Sequence, residues 1–375
     1  MPDRSRTFLP GGRRAVVVGA GSFGTAIAVL LARGGLRTTL QTRTPQQAAD
    51  LQAARENAVY LPGITFPADL RIDSADAGLS RADLVFLGVP SRGLDELLTT
   101  LPERGLRDRA AIISLAKGLV PPDGRAPSAV LRDLFGDQRV AVIGGPAHAR
   151  EMVTEGAGLV AASASEELAR TLARTFIKAG VVCEESNDPV GVELAGAAKN
   201  AAALASGATE GQGLNAAGAA AGHIFAEVWR YAELQGARPE SMIGLAGTGD
   251  LVATVLAPGS RNRRAGELLA DGVTADEIPA RIGQAVEALE SVPLLARALQ
   301  GAHLEAPVTT GLARLISGEL PLDDWVGLVR TTVPPRARWR APVRRGFWRR
   351  LWARVSRPRR ASRIELPPGD ADAPH

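Results

Sequence analysis

The 375-residue sequence predicts an α/β fold in two parts, a doubly wound sheet domain over 13–189 followed by an all-helical domain over 190–333. Three observations carry this. Residues 13–19 (RRAVVVG) form a continuous β-branched run without alternation, the pattern of a strand buried on both faces of a parallel sheet. Comparable short apolar runs return along the first half, separated by helical patterns, as a sheet covered on both faces requires. From Val190 onward these runs stop, and long Ala-, Gly- and Leu-rich helical segments take over until Pro334 and Pro335.

The first run passes directly into GAGSFG, with Gly19, Gly21, Ser22, Phe23 and Gly24, and then into TAIAVLLARGG, a helical pattern closed by glycine. Gly19 permits the tight turn, Gly21 lets the backbone approach a pyrophosphate, and Gly24 lets the helix sit against the strand. The helix N-terminus adds free N–H groups and a favourable dipole. Strand, turn and helix together read as a Rossmann-like dinucleotide site. The second strand, 36–42 (LRTTLQT), leads to Arg43 with no acid beside it. An arginine there pairs with a 2′-phosphate, which favours NADPH over NADH; its other reading is a solvated arginine at a strand end.

Further strands are expected at 82–89 (ADLVFLGV), 109–115 (RAAIISL), 139–143 (RVAVI) and 158–162. Three of the turns that follow, at Pro90-Ser91, at Ser114 to Gly118 (SLAKG) and at Gly144-Gly145-Pro146, put polar groups at carboxyl ends of strands, where such sheets bind ligands.

In the helical part, VGVELAGAAKN (190–200) is almost wholly small or apolar and yet ends in Lys199 and Asn200. Burying a lysine costs free energy unless a partner or a reaction needs it, and desolvation makes it a better proton shuttle near neutral pH. Asp250 and Thr254 are four apart and share a helix face, where a carboxylate and a hydroxyl orient a lysine and a substrate. Ser260, Arg261 and Asn262 follow a Pro-Gly turn with hydroxyl, guanidinium and amide donors suited to a phosphate.

Composition bounds the rest. The lone Cys183 excludes an intrachain disulfide, and four scattered histidines show no metal-ligand spacing, so we expect a reducing cytoplasm and no metal. The start, MPDRSRTFLPGGRR, has no apolar core of a signal sequence, and no apolar run reaches the roughly 20 residues of a membrane span. The pI of 9.8 comes from 334–375, where twelve arginines stand against Glu365, Asp370 and Asp372. That is a net +9, leaving −5 for the rest of a chain whose total is +4, so no nucleic-acid partner is expected. The arm over 1–12 and this tail flank the two domains. Phe347, Leu351 and Val355 fall at i, i+4 and i+8 beside Trp348 and Trp352, either a short basic helix lying on an anionic membrane or part of a disordered extension.

Over 13–332 the sequence resembles NAD(P)-dependent glycerol-3-phosphate dehydrogenase of the bacterial type. The matching stretches are GAGSFGTAIA, ENAVYLPG (56–63), VPS at Val89, SLAKGL at Ser114, GGPAHARE at Gly144, GVELAGAAKN at Gly191, GLAGTGDLVAT at Gly244 and SRNRR at Ser260. The resemblance implies reversible reduction of dihydroxyacetone phosphate to sn-glycerol 3-phosphate for glycerophospholipid synthesis, with NADP or NAD as cofactor and a homodimer as assembly. It implies Lys199 as the catalytic lysine, Lys117 as a second lysine contacting cofactor and substrate, and Asp250 as the residue orienting them. Gly145, Asn200, Thr254, Ser260, Arg261 and Asn262 fall in the substrate set. Gly19, Gly21, Ser22, Phe23, Gly24, Arg43, Lys117, Ala149, Arg261 and Glu287 fall in the cofactor set. Two departures stand out: Ala147 where relatives usually have a serine, and an alanine-rich helix after Asn215 where they usually carry arginines. These leave open a related dehydrogenase with a shifted hydroxy or oxo substrate. A nucleotide-binding protein without turnover is the other alternative, and retention of both lysines argues against it.

Overall fold

The structure, a computed structural model, describes residues 13–333 apart from Pro258. The arm over 1–12 and the basic tail over 334–375, with the membrane reading placed on it, lie outside the described residues. The strands are β1 (Arg14–Val18), β2 (Arg37–Thr42), β3 (Glu56–Asn57), β4 (Leu61–Thr65), β5 (Arg71–Ser74), β6 (Leu84–Leu87), β7 (Ala111–Ser114), β8 (Val140–Gly144), β9 (Gly158–Ser163) and β10 (Val182–Ser186). One sheet has the order β10-β9-β8-β7-β6-β1-β2-β5, while β3 and β4 form a separate antiparallel pair. Ala15 and Val17 of β1 join Leu84 and Phe86 of β6 in one apolar cluster, while Val16, Val18, Val85 and Leu87 join another. Alternate side chains thus enter cores on opposite faces, which is why these runs show no polar alternation.

Val18, Leu87 and Ser114 stand in register, so the turns after β1, β6 and β7 leave the sheet at one edge. The sheet is parallel except between β8 and β9, which run antiparallel with Ala141 opposite Ser163. The runs at 139–143 and 158–162 predict burial and carry no information about direction. Two edge strands have no apolar run at all: β5 is RIDS, and β10 (VCEES) exposes Val182, Glu184 and Glu185.

The helix Pro189–Ala208 carries Lys199. Pro189 occupies its first turn, and Asp188 caps it by accepting from Gly191 N at 2.9 Å. Every residue from Gly191 to Ala208 is buried. Its Val192, Ala195 and Ala198 share one apolar cluster with Val142 and Val160 of the sheet and with Leu268, Val292 and Leu295 of the later helices. The alanines allow close packing on several sides at once. The approach is tightest against the helix Arg261–Ala270: a Cβ on Gly207 would lie 2.0 Å from Arg263 O, and one on Gly266 would lie 2.0 Å from Leu204 O. Gly266→Ala is expected to destabilise the protein by about 1–3 kcal/mol, the usual cost of forcing a methyl group into a packed contact, read from urea unfolding.

Among the described residues, no single helix is long and apolar enough to cross a membrane.

Candidate active site

Two lysines from different halves of the chain meet on one carboxylate. Lys117 lies in the turn after β7, and its Nζ donates to Asp250 Oδ2 at 3.1 Å and to Gly145 O at 3.1 Å. Lys199 Nζ lies 3.3 Å from Asp250 Oδ1 and donates to Thr254 Oγ1 at 3.1 Å. Thr254 in turn donates to Asp250 Oδ1 at 3.4 Å, so the four-residue spacing sets hydroxyl and carboxylate on one face of the helix Asp250–Leu256. Leu245–Gly249, just before Asp250, winds as one π-helical turn, a local irregularity that recurs beside functional sites.

The group is largely dry, with Lys199 7% and Asp250 2% exposed. Burial first, and then repulsion from Lys117, pushes the Lys199 ammonium below its ordinary value, against the pull of Asp250 and Glu287. Burial would raise the Asp250 carboxyl, but the charges and hydrogen bonds of Lys117 and Lys199 hold it below the usual carboxylate range. The carboxylate therefore stays ionised while the buried lysine gives up its proton more easily than a free one.

A chain of amides ties this group to the next helices. Asn200 Nδ2 donates to Glu287 Oε2 at 3.1 Å and to Lys117 O at 3.4 Å. Asn262 Nδ2 donates to Asn200 Oδ1 at 2.8 Å, and Asn262 Oδ1 accepts from Ala288 N at 3.2 Å. Ser260 is buried and caps Arg261–Ala270 by accepting from Arg263 N at 3.3 Å, leaving its hydroxyl hydrogen to donate elsewhere. Arg261 is exposed and donates one N–H to Ala285 O at 3.0 Å. A cavity of about 610 Å³ opens at this helix start, lined by Ser260, Arg261, Arg264, Arg281 and Gln284. Neither lysine lines it, so it adjoins the SRNRR stretch rather than the lysine pair.

At the sheet edge, Gly19 takes φ +111°, and a Cβ on Gly24 would lie 2.1 Å from Gly19 O, so strand and helix press together as the motif requires. A Cβ on Gly21 would meet nothing within 4 Å. That open space, beside the first unpaired N–H groups of the helix Ser22–Arg33, fits the pyrophosphate of a dinucleotide. Phe23 lies under Lys117, whose Nζ is 5.3 Å from the ring centroid, and so joins the glycine-rich turn to the lysines. Ala149 begins the short helix Ala149–Thr154 after the Gly145 turn. Arg43 is exposed just past β2, and no described residue forms an ion pair with it.

Some supports escaped the sequence reading. Asn57 is buried and donates from Nδ2 to Ala20 O and to Thr25 Oγ1, both at 2.9 Å, bracing the glycine-rich turn from outside. Its signal was a lone amide inside ENAVYLPG. The alanine-rich helix Leu214–Leu234 was expected to bear on the substrate pocket. One hydrogen bond to the lysine helix, Ser206 Oγ to Ala217 O at 3.4 Å, lies about two turns beyond Lys199.

Comparison with known proteins gives a consistent picture. The family model described as the NAD-dependent glycerol-3-phosphate dehydrogenase N-terminus matches residues 14–169, and that of its C-terminus matches 188–327. A glycerol-3-phosphate dehydrogenase [NAD(P)+] of Deinococcus radiodurans is 39% identical over 311 residues, spanning 81% of this chain and 90% of that protein. The one from Caulobacter vibrioides is 34% identical over 326 residues, 86% and 98% of the two chains. The crystal structure of a glycerol-3-phosphate dehydrogenase from Coxiella burnetii superposes with a TM-score of 0.79 at 30% identity, covering 86% of this chain and 99% of that one.

Proposed function

We propose the chemistry of this site from one premise: the chain belongs to the NAD-dependent glycerol-3-phosphate dehydrogenase family. It is an NAD(P)-dependent oxidoreductase acting on a CH–OH group, and its reaction is the reversible reduction of dihydroxyacetone phosphate to sn-glycerol 3-phosphate. The observation that carries the residue assignment is the buried Asp250 carboxylate holding Lys117 and Lys199 together, with Asn200, the residue after Lys199, hydrogen-bonded to Asn262 beside Ser260 and Arg261.

A bound nicotinamide dinucleotide supplies or accepts the hydride. In reduction the Lys199 ammonium protonates the carbonyl oxygen, and in oxidation the neutral amine takes the hydroxyl proton; burial and Lys117 push its pKa below the ordinary lysine value, which eases release of the proton. The Lys117 ammonium stabilises negative charge developing on that oxygen. Asp250 and Thr254 hold Lys199 in line, and the remaining donors of Arg261 and Ser260 grip the phosphate with Asn262 and the helix N-terminus. Gly19 to Gly24, Ala149, Arg261 and Glu287 border the dinucleotide. The test is NADPH oxidation by purified protein given dihydroxyacetone phosphate, against 2- and 3-oxo acids. Oxidation by the oxo acids alone would overturn the assignment in favour of a shifted substrate, the reading that Ala147 favours. A missing neutral hydrogen bond at Ala147 weakens substrate binding by about 1 kcal/mol, which affects affinity more than turnover.

NADPH is the favoured cofactor because Arg43 stands unpaired at the strand end. Arg43→Glu should raise KM for NADPH by roughly tenfold or more, since it removes a charge-assisted phosphate contact and adds a repulsive carboxylate, while KM for NADH stays nearly level. Equal effects on both would show that Arg43 does not read the 2′-phosphate. We assign the protein to the cytoplasm, in keeping with a lone buried Cys183. A homodimer fits the surface of Leu214–Leu234, where Leu214 is 86% exposed and Gly218 and Gly222 have open space above them; light scattering after gel filtration tests it. Peripheral contact of the basic tail with anionic membrane is tested by vesicle binding of the full chain against one ending at Val333.

A further inference from the structure

We propose that Asn57 is a positioning residue for the dinucleotide: its buried amide holds the Ala20–Gly21 peptide so that the Gly21 N–H faces the cofactor's phosphates. This rests on the assignment of the glycine-rich turn as the dinucleotide site. Asn57 lies on β3, in the antiparallel pair that stands apart from the main sheet, and is 1% exposed. A buried amide must find partners for its polar atoms, and here two of them lie outside that pair. Nδ2 donates to Ala20 O and to Thr25 Oγ1, both at 2.9 Å, while Oδ1 accepts from Tyr60 N at 3.3 Å. Ala20 O can only accept and Tyr60 N can only donate, so the two ends of the amide are not interchangeable.

Ala20 O and the Gly21 N–H belong to one trans peptide, in which the two bonds point in opposite directions. With its oxygen drawn to Asn57, the peptide turns its N–H away from the hairpin. Gly21 borders open space, since a Cβ there would meet nothing within 4 Å. No hydrogen bond among the described residues uses that N–H, and no side chain caps the helix Ser22–Arg33. The Gly21 N–H therefore stands with the free N–H groups of the first helical turn, ready for an anion. The need for a clamp follows from the glycine itself. Its missing Cβ lets a phosphate approach, and the same freedom lets the Ala20–Gly21 peptide rotate at small cost. A rotated peptide would present Ala20 O, an acceptor, to the phosphates. Thr25, whose N donates to Gly21 O at 2.9 Å, also takes a hydrogen of the Asn57 amide, so the turn is held at two points.

Asn57→Asp tests this on the full chain, because it keeps the shape and the acceptor for Tyr60 N and, once ionised, sets a second acceptor against Ala20 O. In mildly alkaline buffer we expect its Kd for NADPH, from fluorescence titration, to rise roughly tenfold or more, the scale of a lost hydrogen bond to a charged group. The kcat at saturating NADPH and the KM for dihydroxyacetone phosphate should stay at the wild-type values. Adenosine 2′-phosphate, which has no pyrophosphate, should bind variant and wild type equally. A residue that only supported the fold would weaken both ligands alike. The wild type supplies a second readout: the Gly21 amide proton should shift downfield when ADP-ribose binds. An unmoved Gly21 amide, a folded Asn57→Asp that binds NADPH as the wild type does, or equal weakening of both ligands would each overturn the proposal. If Asn57→Asp does not fold, the Gly21 amide decides. Wild-type protein that binds NADPH without reducing dihydroxyacetone phosphate would sink the assigned reaction instead, and these binding readouts would still decide the role of Asn57.

Discussion

Lys199→Ala is expected to lower kcat for dihydroxyacetone phosphate reduction by roughly 10²- to 10⁴-fold, the range for loss of a positioned general acid. NADPH affinity, measured by fluorescence titration, should stay at the wild-type level. The separation follows from the contacts. Lys199 Nζ meets Asp250 and Thr254, whereas the glycine-rich turn and Arg43 lie at the sheet edge. Asp250 is not orphaned by the change, because Lys117 still holds its other oxygen. The variant should fold, and small primary amines should restore part of the lost rate by entering the space left behind. Near-normal turnover would refute the assigned role. In the wild type, the alkaline limb of the kcat profile for reduction should fall below the ordinary lysine value, because burial and Lys117 both favour the neutral amine.

Asp250→Asn should be worse for the fold than for any single contact. Removing one partner of a buried ion pair costs about 3–5 kcal/mol, and here two ammonium groups lose the same counter-charge. The sign of the kinetic effect is fixed by the same loss. The carboxylate raises the Lys199 pKa; without it, burial and Lys117 drive the pKa further down, so less of the lysine carries the proton that reduction requires. We expect kcat at neutral pH to drop by about 10²-fold, with partial recovery as the pH is lowered. A variant with wild-type melting temperature, or one whose activity does not respond to acid, would contradict this account.

Several of these features were legible in the sequence because each is written in a local pattern. RRAVVVG followed by GAGSFG states strand, turn and helix within a dozen residues, and the spacing of Asp250 and Thr254 states a shared helix face. Lys199 stood out as the one cation in a stretch of small residues. What escaped is set by distant partners. The antiparallel pairing of β8 with β9 depends on how the chain returns, and β10 is an edge strand whose glutamates face water. Glu193 sits in VGVELAGAAKN six residues before Lys199, and its partner is Ser128, 65 residues away. Glu287 reads in the sequence as a cofactor contact, and the structure shows its carboxylate accepting from Asn200.

The crossing at Gly207 and Gly266 has a consequence for substrate choice. Backbone presses on backbone there, so at that crossing no side chain stands between the helix that begins at Ser260 and the helix that carries Lys199. The span from grip to proton donor is thereby a fixed gauge. Under the roles proposed for Ser260, Arg261, Asn262 and Lys199, a substrate is measured by whether its carbonyl reaches Lys199 when its phosphate is seated.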